Sequence, residues 1–260
     1  MAQIDQPVTR AIGRALKSSQ DKIDPKMDYP EAKRAASSDD PAVRLTLAKR
    51  EDAQPEVLCY LAEDEEAGVC RAVAVNAATP RQADALLVDD VEDEVRISLA
   101  RKISRLALEL NTQAQSWLQE LTLKILDDLS RDELPRVRTI IAEEICHLDN
   151  LPHELIRRLA EDTELTVCAP ILEYSPLLSD DDLLEIMAIG PVKGALDAIS
   201  RRENLGPRPS DGISESNDPN AIAQLLANPC AQIRENTLDK IVDCTLEKQS
   251  WHDPLVHRDK

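Results

Sequence analysis

A short segment recurs along this chain, and internal repetition restricts the fold more than any other feature of the sequence. A Val-Arg pair follows acidic residues and precedes small or aliphatic residues at three places, and a fourth copy reads Val-Cys-Arg. Arg71 lies 27 residues after Arg44, Arg96 lies 25 residues after Arg71, and Arg138 lies 42 residues after Arg96. These intervals indicate small supersecondary units, the third of which is enlarged.

Segments that open with a proline alternate with the Val-Arg segments. They begin at Pro55, Pro80 and Pro152, and each carries aliphatic residues at helical spacing. Thr79, Pro80 and Gln82 fit a capping box with proline at the first helical position. Each unit is therefore predicted to hold two helices. Because one such pair cannot bury both of its faces, neighbouring pairs must stack, and we predict an all-α, right-handed α-solenoid.

The enlarged unit and the middle of the chain carry further helix signals. Apolar residues recur at three- or four-residue steps from Val95 to Leu110 and again from Trp117 to Leu129, which predicts two long helices. Ser179 is predicted to cap a helix whose first turn holds three aspartates, an arrangement that suits the positive end of a helix better than a metal site. The pair at 228–229, Asn-Pro, predicts another helix start.

The overall composition supports helices and excludes several classes of function. Phenylalanine is absent, aromatic residues make up 2%, and there are only six glycines. A core built from Ala and Leu favours closely packed helices. The net charge of −18 argues against nucleic-acid binding, which requires a basic face. No apolar run approaches the roughly 18 residues that span a bilayer, so we expect no membrane segment.

Sequence signatures of catalysis and of cofactor binding are missing. The chain has no Walker loop, G-x-G-x-x-G, G-x-S-x-G or H-E-x-x-H motif. Its four histidines are not spaced as metal ligands, and its six cysteines are scattered without a C-x-x-C pair. We therefore expect a cytoplasmic protein that is not an enzyme, with no catalytic residue, cofactor or metal.

Changes in composition along the chain predict four parts. The stretch from 201 to 220 holds most of the Gly, Pro and Ser of the C-terminal part, which indicates a loop or linker. We expect the repeat pattern to continue past residue 260. The predicted parts are an N-terminal helical cap region (1–37), a helical repeat domain (38–200), a polar loop or linker (201–220) and a C-terminal helical repeat unit (221–260).

The middle of the chain resembles a bacterial family catalogued as domain of unknown function 2336. The resemblance is carried by Leu159-Ala-Glu-Asp162 and by the run from Val167 to Leu183, VCAPILEYSPLLSDDDL. Further support comes from LLANP at 225–229 and LVHRD at 255–259, and the similarity extends from about Asp40 onwards. The resemblance implies a HEAT-like or leucine-rich-variant repeat fold, and proteins of that fold are mostly binding scaffolds.

The recurring arginines admit two interpretations. In HEAT-type stacks an arginine pairs with an aspartate of a neighbouring unit and fixes the register of the repeats. Alternatively, a row of guanidinium groups binds an anionic ligand such as a nucleotide. Both interpretations apply to the same candidates, which are Arg44, Arg71, Arg96, Arg138 and Arg234.

Acidic residues are concentrated in two blocks of the sequence. Residues 51–100 carry a net charge of −10 and residues 151–200 carry −7, whereas residues 1–50 carry +3. Acidic side chains at helix starts improve helix stability and solubility. They also form a candidate surface for a basic partner segment, made of Glu63, Asp64, Glu65, Glu66, Asp89 and Asp90.

These features together predict a binding protein. We expect a non-catalytic scaffold or adaptor of bacterial signalling or regulation, which binds a protein partner but neither nucleic acid nor membrane. The alternative is a sensor of a small anionic ligand. The sequence leaves open whether the chain forms homo-oligomers.

Overall fold

The computed structural model describes residues 27–108 and 116–244, and this part of the chain is helical without any strand. The all-α prediction is therefore confirmed. The chain divides into two compact units after Leu129. The described part of unit 1 forms α1 (Tyr29–Ala36), α2 (Pro41–Ala48), α3 (Pro55–Leu61), α4 (Ala67–Val75), α5 (Arg81–Leu86), α6 (Asp93–Leu108) and α7 (Ser116–Leu129). That of unit 2 forms α8 (Pro135–Ile145), α9 (His153–Ala160), α10 (Leu165–Tyr174), α11 (Asp180–Ile189), α12 (Ala195–Ser200), α13 (Pro207–Glu215), α14 (Pro219–Ala227) and α15 (Glu235–Cys244).

Helices in both units pack against the helix two places further along the chain. In unit 1, α2, α4 and α6 contact one another in series, and so do α1, α3, α5 and α7. In unit 2, α8, α10, α12 and α14 form one series, and α11, α13 and α15 form another. Each unit therefore consists of two rows of helices with a core between them.

The recurring valine explains why one row buries the same face in every copy. Val43 and Leu47 of α2 are both buried, and Val69 with Val73 occupies the same two places in α4. Further buried pairs lie at the same four-residue spacing in α6, α8 and α10, namely Val95 and Leu99, Val137 and Ile141, and Val167 and Ile171. Residues four apart lie on one face of a helix, so each pair faces the core.

Two of the predicted helix features are confirmed. The enlarged unit does form two long helices, α6 and α7, of 16 and 14 residues. Ser179 is the N-cap of α11, where its side chain accepts a hydrogen bond from the Asp182 amide and the Asp182 carboxylate accepts one from the Ser179 amide. This reciprocal pairing is a capping box, which satisfies two amides that the helix start leaves without partners.

The capping box predicted at Thr79 is wrong. The N-cap of α5 is Pro80, and the helix begins at Arg81. The Thr79 hydroxyl is buried and donates instead to the Val73 carbonyl at 2.7 Å. It therefore adds another donor to a carbonyl in the last turn of α4, which also accepts from the Asn76 amide.

The segment 201–220, predicted to be a loop or linker, contains the whole of α13. Pro207 stands in the first turn of this helix, where its missing N–H costs little. Pro209, Ser210 and Ile213 are buried. Burial of one face therefore outweighs the poor helix propensity of this Pro-, Gly- and Ser-rich sequence.

Membrane-spanning helices are absent from residues 27–108 and 116–244, where every helix is too short or too polar to cross a bilayer. The predicted cap region 1–37 and C-terminal unit 221–260 lie only in part within the described residues.

Candidate functional site

Arg44 joins the start of α2 to the turn before α4. Its Nε and Nη2 donate to the two carboxylate oxygens of Asp64 at 2.6 and 3.0 Å, and its Nη1 donates to the Ser38 carbonyl at 2.7 Å. Asp64 also accepts from the Glu66 amide at 3.0 Å, so the same carboxylate shapes the turn that opens α4. The guanidinium group thus links one helix of the row to the next with a two-pronged ion pair.

Arg138 repeats this arrangement in unit 2. It donates to both oxygens of Asp162 at 2.7 and 3.0 Å and to the Asp132 carbonyl at 2.7 Å, six residues earlier, as Arg44 does to Ser38. Asp162 accepts from the Glu164 amide at 2.9 Å. Arg138 of α8 therefore connects to the turn before α10 in the same way that α2 connects to α4.

Arg96 makes the local half of the pattern. It donates to the Asp90 carbonyl six residues earlier at 2.7 Å, and to the carboxylate of Asp93 on its own helix at 2.8 Å. Asp93 is 60% exposed. Residues 116–120, where the forward aspartate would fall, form the start of the long helix α7 and contain none.

Arg71 does not occupy this position, because Cys70 does. The Cys70 thiol donates to the Asp64 carbonyl six residues earlier at 3.1 Å. The extra residue in Val-Cys-Arg turns Arg71 about 100° further around α4. Arg71 is exposed, and within the described residues it has no ion pair.

Arg234 pairs in the opposite direction along the chain. It stands just before α15 and forms an ion pair with Asp211 of α13, 23 residues earlier. Thr237 of α15 donates to the other oxygen of the same carboxylate. The five candidate arginines therefore have four different environments and do not form one uniform row.

Burial and hydrogen bonding shift the pKa values of the paired carboxylates in opposite directions. Burial by itself raises the pKa of Asp64, but hydrogen bonds from Arg44 and from the Glu66 amide outweigh it, so the pKa lies below its ordinary value. The pKa of Asp162 is lowered for the same reasons, with Arg138 and Glu164 as the donors. Both aspartates are therefore ionised at neutral pH.

A second set of repeated contacts, which the sequence did not lead us to expect, joins the other ends of the helices. Asn76, just after α4, donates from Nδ2 to the carbonyls of Ala48 and Arg50 at the end of α2, both at 2.8 Å. Asn228, just after α14, donates to the carbonyls of Ser200 and Arg202 at 2.8 and 2.7 Å. In both cases the acceptors precede the asparagine by 28 and 26 residues.

The prediction that Asn228 starts a helix is therefore wrong, since it ends α14. Lysine and arginine side chains make the corresponding hydrogen bonds to helix-end carbonyls elsewhere. Lys102 donates to the carbonyls of Val73 and Asn76, and Arg202 donates to those of Leu172 and Ser175. The signal in the sequence is an Asn that follows an Ala- or Val-rich helix in both units.

The candidate acidic surface separates into exposed and engaged carboxylates. Glu63, Glu65 and Glu66 are exposed, and so is Asp89. The Asp64 side chain is only 5% exposed and bound to Arg44, and Asp90 is half-buried and accepts from the Glu92 amide.

The three glutamates of this surface line a cavity of about 550 Å³ beside α1, α2 and α3. Asp39 and Tyr60 lie on the same cavity, and Tyr60 is 58% exposed. Arg44 also reaches the cavity, but its charge is already matched by Asp64. An open acidic cavity with an aromatic wall can bind Lys and Arg side chains by charge and by cation–π contact.

A buried charged cluster in unit 1 lies apart from this cavity. Asp84 is fully buried, and it pairs with Lys102 and with Arg81, the latter at 2.7 Å. Burial raises the pKa of Asp84 and lowers that of Lys102. Both groups have their partners within the cluster, so it joins α5 to α6 and offers nothing to a ligand.

Comparison with protein families gives one match, over residues 167–260. It is to the family described as "Uncharacterised protein conserved in bacteria (DUF2336)". The match covers the later part of the region over which the resemblance was expected, from α10 of unit 2 onwards. No curated protein matches the chain.

Proposed function

We propose that this chain is a non-catalytic helical-repeat scaffold, with each unit built as a right-handed, HEAT-like α-solenoid. The contacts of most helices with the helix two places along support this proposal, because stacked two-helix repeats have that connectivity. The asparagine links support it independently, since identical 28- and 26-residue spacings in both units are expected of repeats.

Arg44 and Arg138 set the register of the repeats in this proposal. A two-pronged ion pair from one helix to the turn of the next is possible only when the two repeats stand at one relative height. Because Arg44, Arg96, Arg138 and Arg234 each bind a carboxylate of the chain itself, the register interpretation is favoured over the alternative of a small-anion sensor.

The proposed partner is a basic segment of another protein, bound in the acidic cavity of unit 1. The observation that carries this proposal is the cavity of about 550 Å³, whose lining includes three exposed glutamates, Asp39 and Tyr60. Arg44, the one cation among the described residues that line it, is neutralised by Asp64. Such a surface repels phosphates, and so binding to nucleic acid or to anionic lipid is not part of the proposed function.

We place this scaffold in the bacterial cytoplasm. Free thiols are found at Cys59, Cys70, Cys146, Cys168 and Cys230, as expected in a reducing compartment.

Fluorescence anisotropy with a labelled peptide of about ten residues, rich in Lys and Arg, tests the acidic cavity on the full-length chain. Combining Glu65→Lys with Glu66→Lys should weaken binding about tenfold or more at low salt, because charge reversal turns attraction into repulsion. The matched control combines Glu203→Lys with Glu235→Lys, which reverses two exposed glutamates of unit 2. Equal weakening of binding by the control would show that the loss comes from net charge alone, which contradicts the proposal.

Substitutions at Tyr60 test the aromatic wall. Tyr60→Ala should cost about 0.5–1 kcal/mol of peptide binding, whereas Tyr60→Phe should bind like the unchanged chain because the ring is retained. If both variants bind equally well, the ring plays no part in the site.

A further inference from the structure

A second groove in unit 1 lies between α2 and α4 and has a different character from the acidic cavity. It encloses about 410 Å³. Its apolar lining includes Leu45 of α2 and Gly68, Ala72 and Val75 of α4. The Val75 side chain is 62% exposed, although it is a large aliphatic residue on an ordered helix.

The spacing along α4 gives this groove a regular floor. Gly68, Ala72 and Val75 are four and then three residues apart, so they form one stripe along two turns of the helix, about 10 Å long. A side chain added at Gly68 would meet nothing within 4 Å, so the groove is open at this end. Small residues on such a stripe allow another helix to approach closely.

The charged residues on the groove are mostly cations. Arg71 and Lys49 both line it and are exposed, and neither has an ion pair within the described part of the chain. Glu51 is the carboxylate on the same groove. Arg71 thus differs from the other four recurring arginines, each of which binds a carboxylate of the chain.

We propose that this groove binds an amphipathic helix of a partner protein, with apolar residues on the stripe and carboxylates facing Lys49 and Arg71. The apolar floor is suited to a helix face, and the two cations require anionic flanks on the partner. The inference rests on the proposed scaffold function and deepens it. Unit 1 then carries two surfaces of opposite charge, as an adaptor that holds two different partners would need.

The test uses the full-length chain and a labelled synthetic peptide of about 15 residues, with Leu along one helical face and Glu on both flanks. We expect saturable binding in fluorescence anisotropy at low salt. Arg71→Glu should weaken it about tenfold or more, and Val75→Glu should do the same by putting a charge on the apolar floor. The matched control is Arg101→Glu on α6, an exposed arginine with no described ion pair, which should bind within about twofold of the unchanged chain.

Binding of peptides and ligands of other chemistry tests which kind of molecule occupies the groove. A version with Lys in place of Glu should bind weakly, and a scrambled version with the same composition should not bind. Equal binding of either peptide, or no binding of the original, overturns the proposal. Displacement of the peptide by decanoate at equal or lower concentration assigns the groove to a small amphiphile instead. Self-association in sedimentation velocity that Arg71→Glu abolishes assigns it to a second copy of the chain.

The acidic cavity and the groove can be tested independently of each other. Combining Glu65→Lys with Glu66→Lys should leave binding of the acidic peptide unchanged or strengthened, and Arg71→Glu should not weaken binding of the Lys- and Arg-rich peptide. If the unchanged chain binds the acidic peptide but not the basic one, the acidic cavity alone is refuted. If it binds the basic peptide but not the acidic one, the groove alone is refuted. Far-UV circular dichroism and melting temperature equal to those of the unchanged chain confirm that the variants are folded.

Discussion

Replacement of Asn76 by alanine should destabilise unit 1 by about 3 kcal/mol. The side chain is 8% exposed and makes three hydrogen bonds, to the carbonyls of Ala48 and Arg50 and from the amide of Ala78. Each is worth about 1 kcal/mol net, and a buried acceptor left without a donor adds its desolvation cost. Arg50 keeps a second donor, the Ala53 amide, so the larger share falls on Ala48.

Urea unfolding followed by tryptophan fluorescence measures this change. A Trp251→Phe background leaves Trp117, in α7 of unit 1, as the single tryptophan of the chain. Gln82→Ala removes an exposed amide from the same unit and should change the unfolding free energy by less than about 0.5 kcal/mol. An Asn76→Ala variant as stable as Gln82→Ala would refute the argument that this link joins the repeats.

The isosteric variant Asn76→Asp sharpens the same test. It keeps the acceptor for Ala78 but places a carboxylate against two carbonyl oxygens. Its loss of stability should be at least as large at pH 7 and should shrink in acid, where the protonated carboxyl can donate one bond again. A loss independent of pH would show that packing, not hydrogen bonding, is what the asparagine contributes.

Arg44→Met should destabilise the chain by about 2 kcal/mol in urea unfolding because it strands a mostly buried carboxylate, whereas Arg71→Met should change stability by less than about 0.5 kcal/mol. The pKa of Asp64 lies below its ordinary value in the folded chain, so the stability it contributes is present above about pH 4 and lost as the pH falls through the folded-state pKa. Urea titrations at pH 7 and pH 3 should therefore differ less for Arg44→Met than for the unchanged chain, and an equal difference would contradict the role of the pair. A disulfide reagent such as Ellman's at pH 8 should modify the exposed Cys230 quickly, whereas Cys70, whose pKa burial raises to about 11, should react only on unfolding. Mass spectrometry of the labelled peptides checks the order, and early labelling of Cys70 would contradict it.

Local patterns in the sequence predicted the helices well where helical spacing and burial agree. The pairs Val43 with Leu47 and Val69 with Val73 follow the four-residue spacing of a buried face, and they are buried. The prediction and the structure differ where packing outweighs helix propensity. An example is α13, whose prolines and glycine had indicated a linker. Helix ends were the weakest part of the prediction, because Thr79 and Asn228 donate to carbonyls of neighbouring helices and neither is the N-cap of a helix.

Candidate residues were located by type, but their roles depended on geometry. Glu63 and Asp64 are neighbours in the acidic block, yet one is exposed and the other is bound to Arg44. Arg71 matched the Val-Arg pattern by type, but one extra residue rotates it off the row of paired arginines and onto an open groove. Residue types alone do not distinguish an engaged side chain from an exposed one, because a shift of one position rotates a side chain by about 100° around the helix.

The sequence by itself determined that the described chain is helical, which faces of one row are buried, and that acidic charge gathers at the turns of unit 1. These properties follow from spacing and composition, which act over a few residues. Only the tertiary structure decided which arginines find a carboxylate and which asparagines join neighbouring helices. It also decided that two open surfaces of opposite charge lie on one unit. The physical reason is that these contacts connect residues 20 to 30 positions apart, and their geometry exists only after the helices have packed.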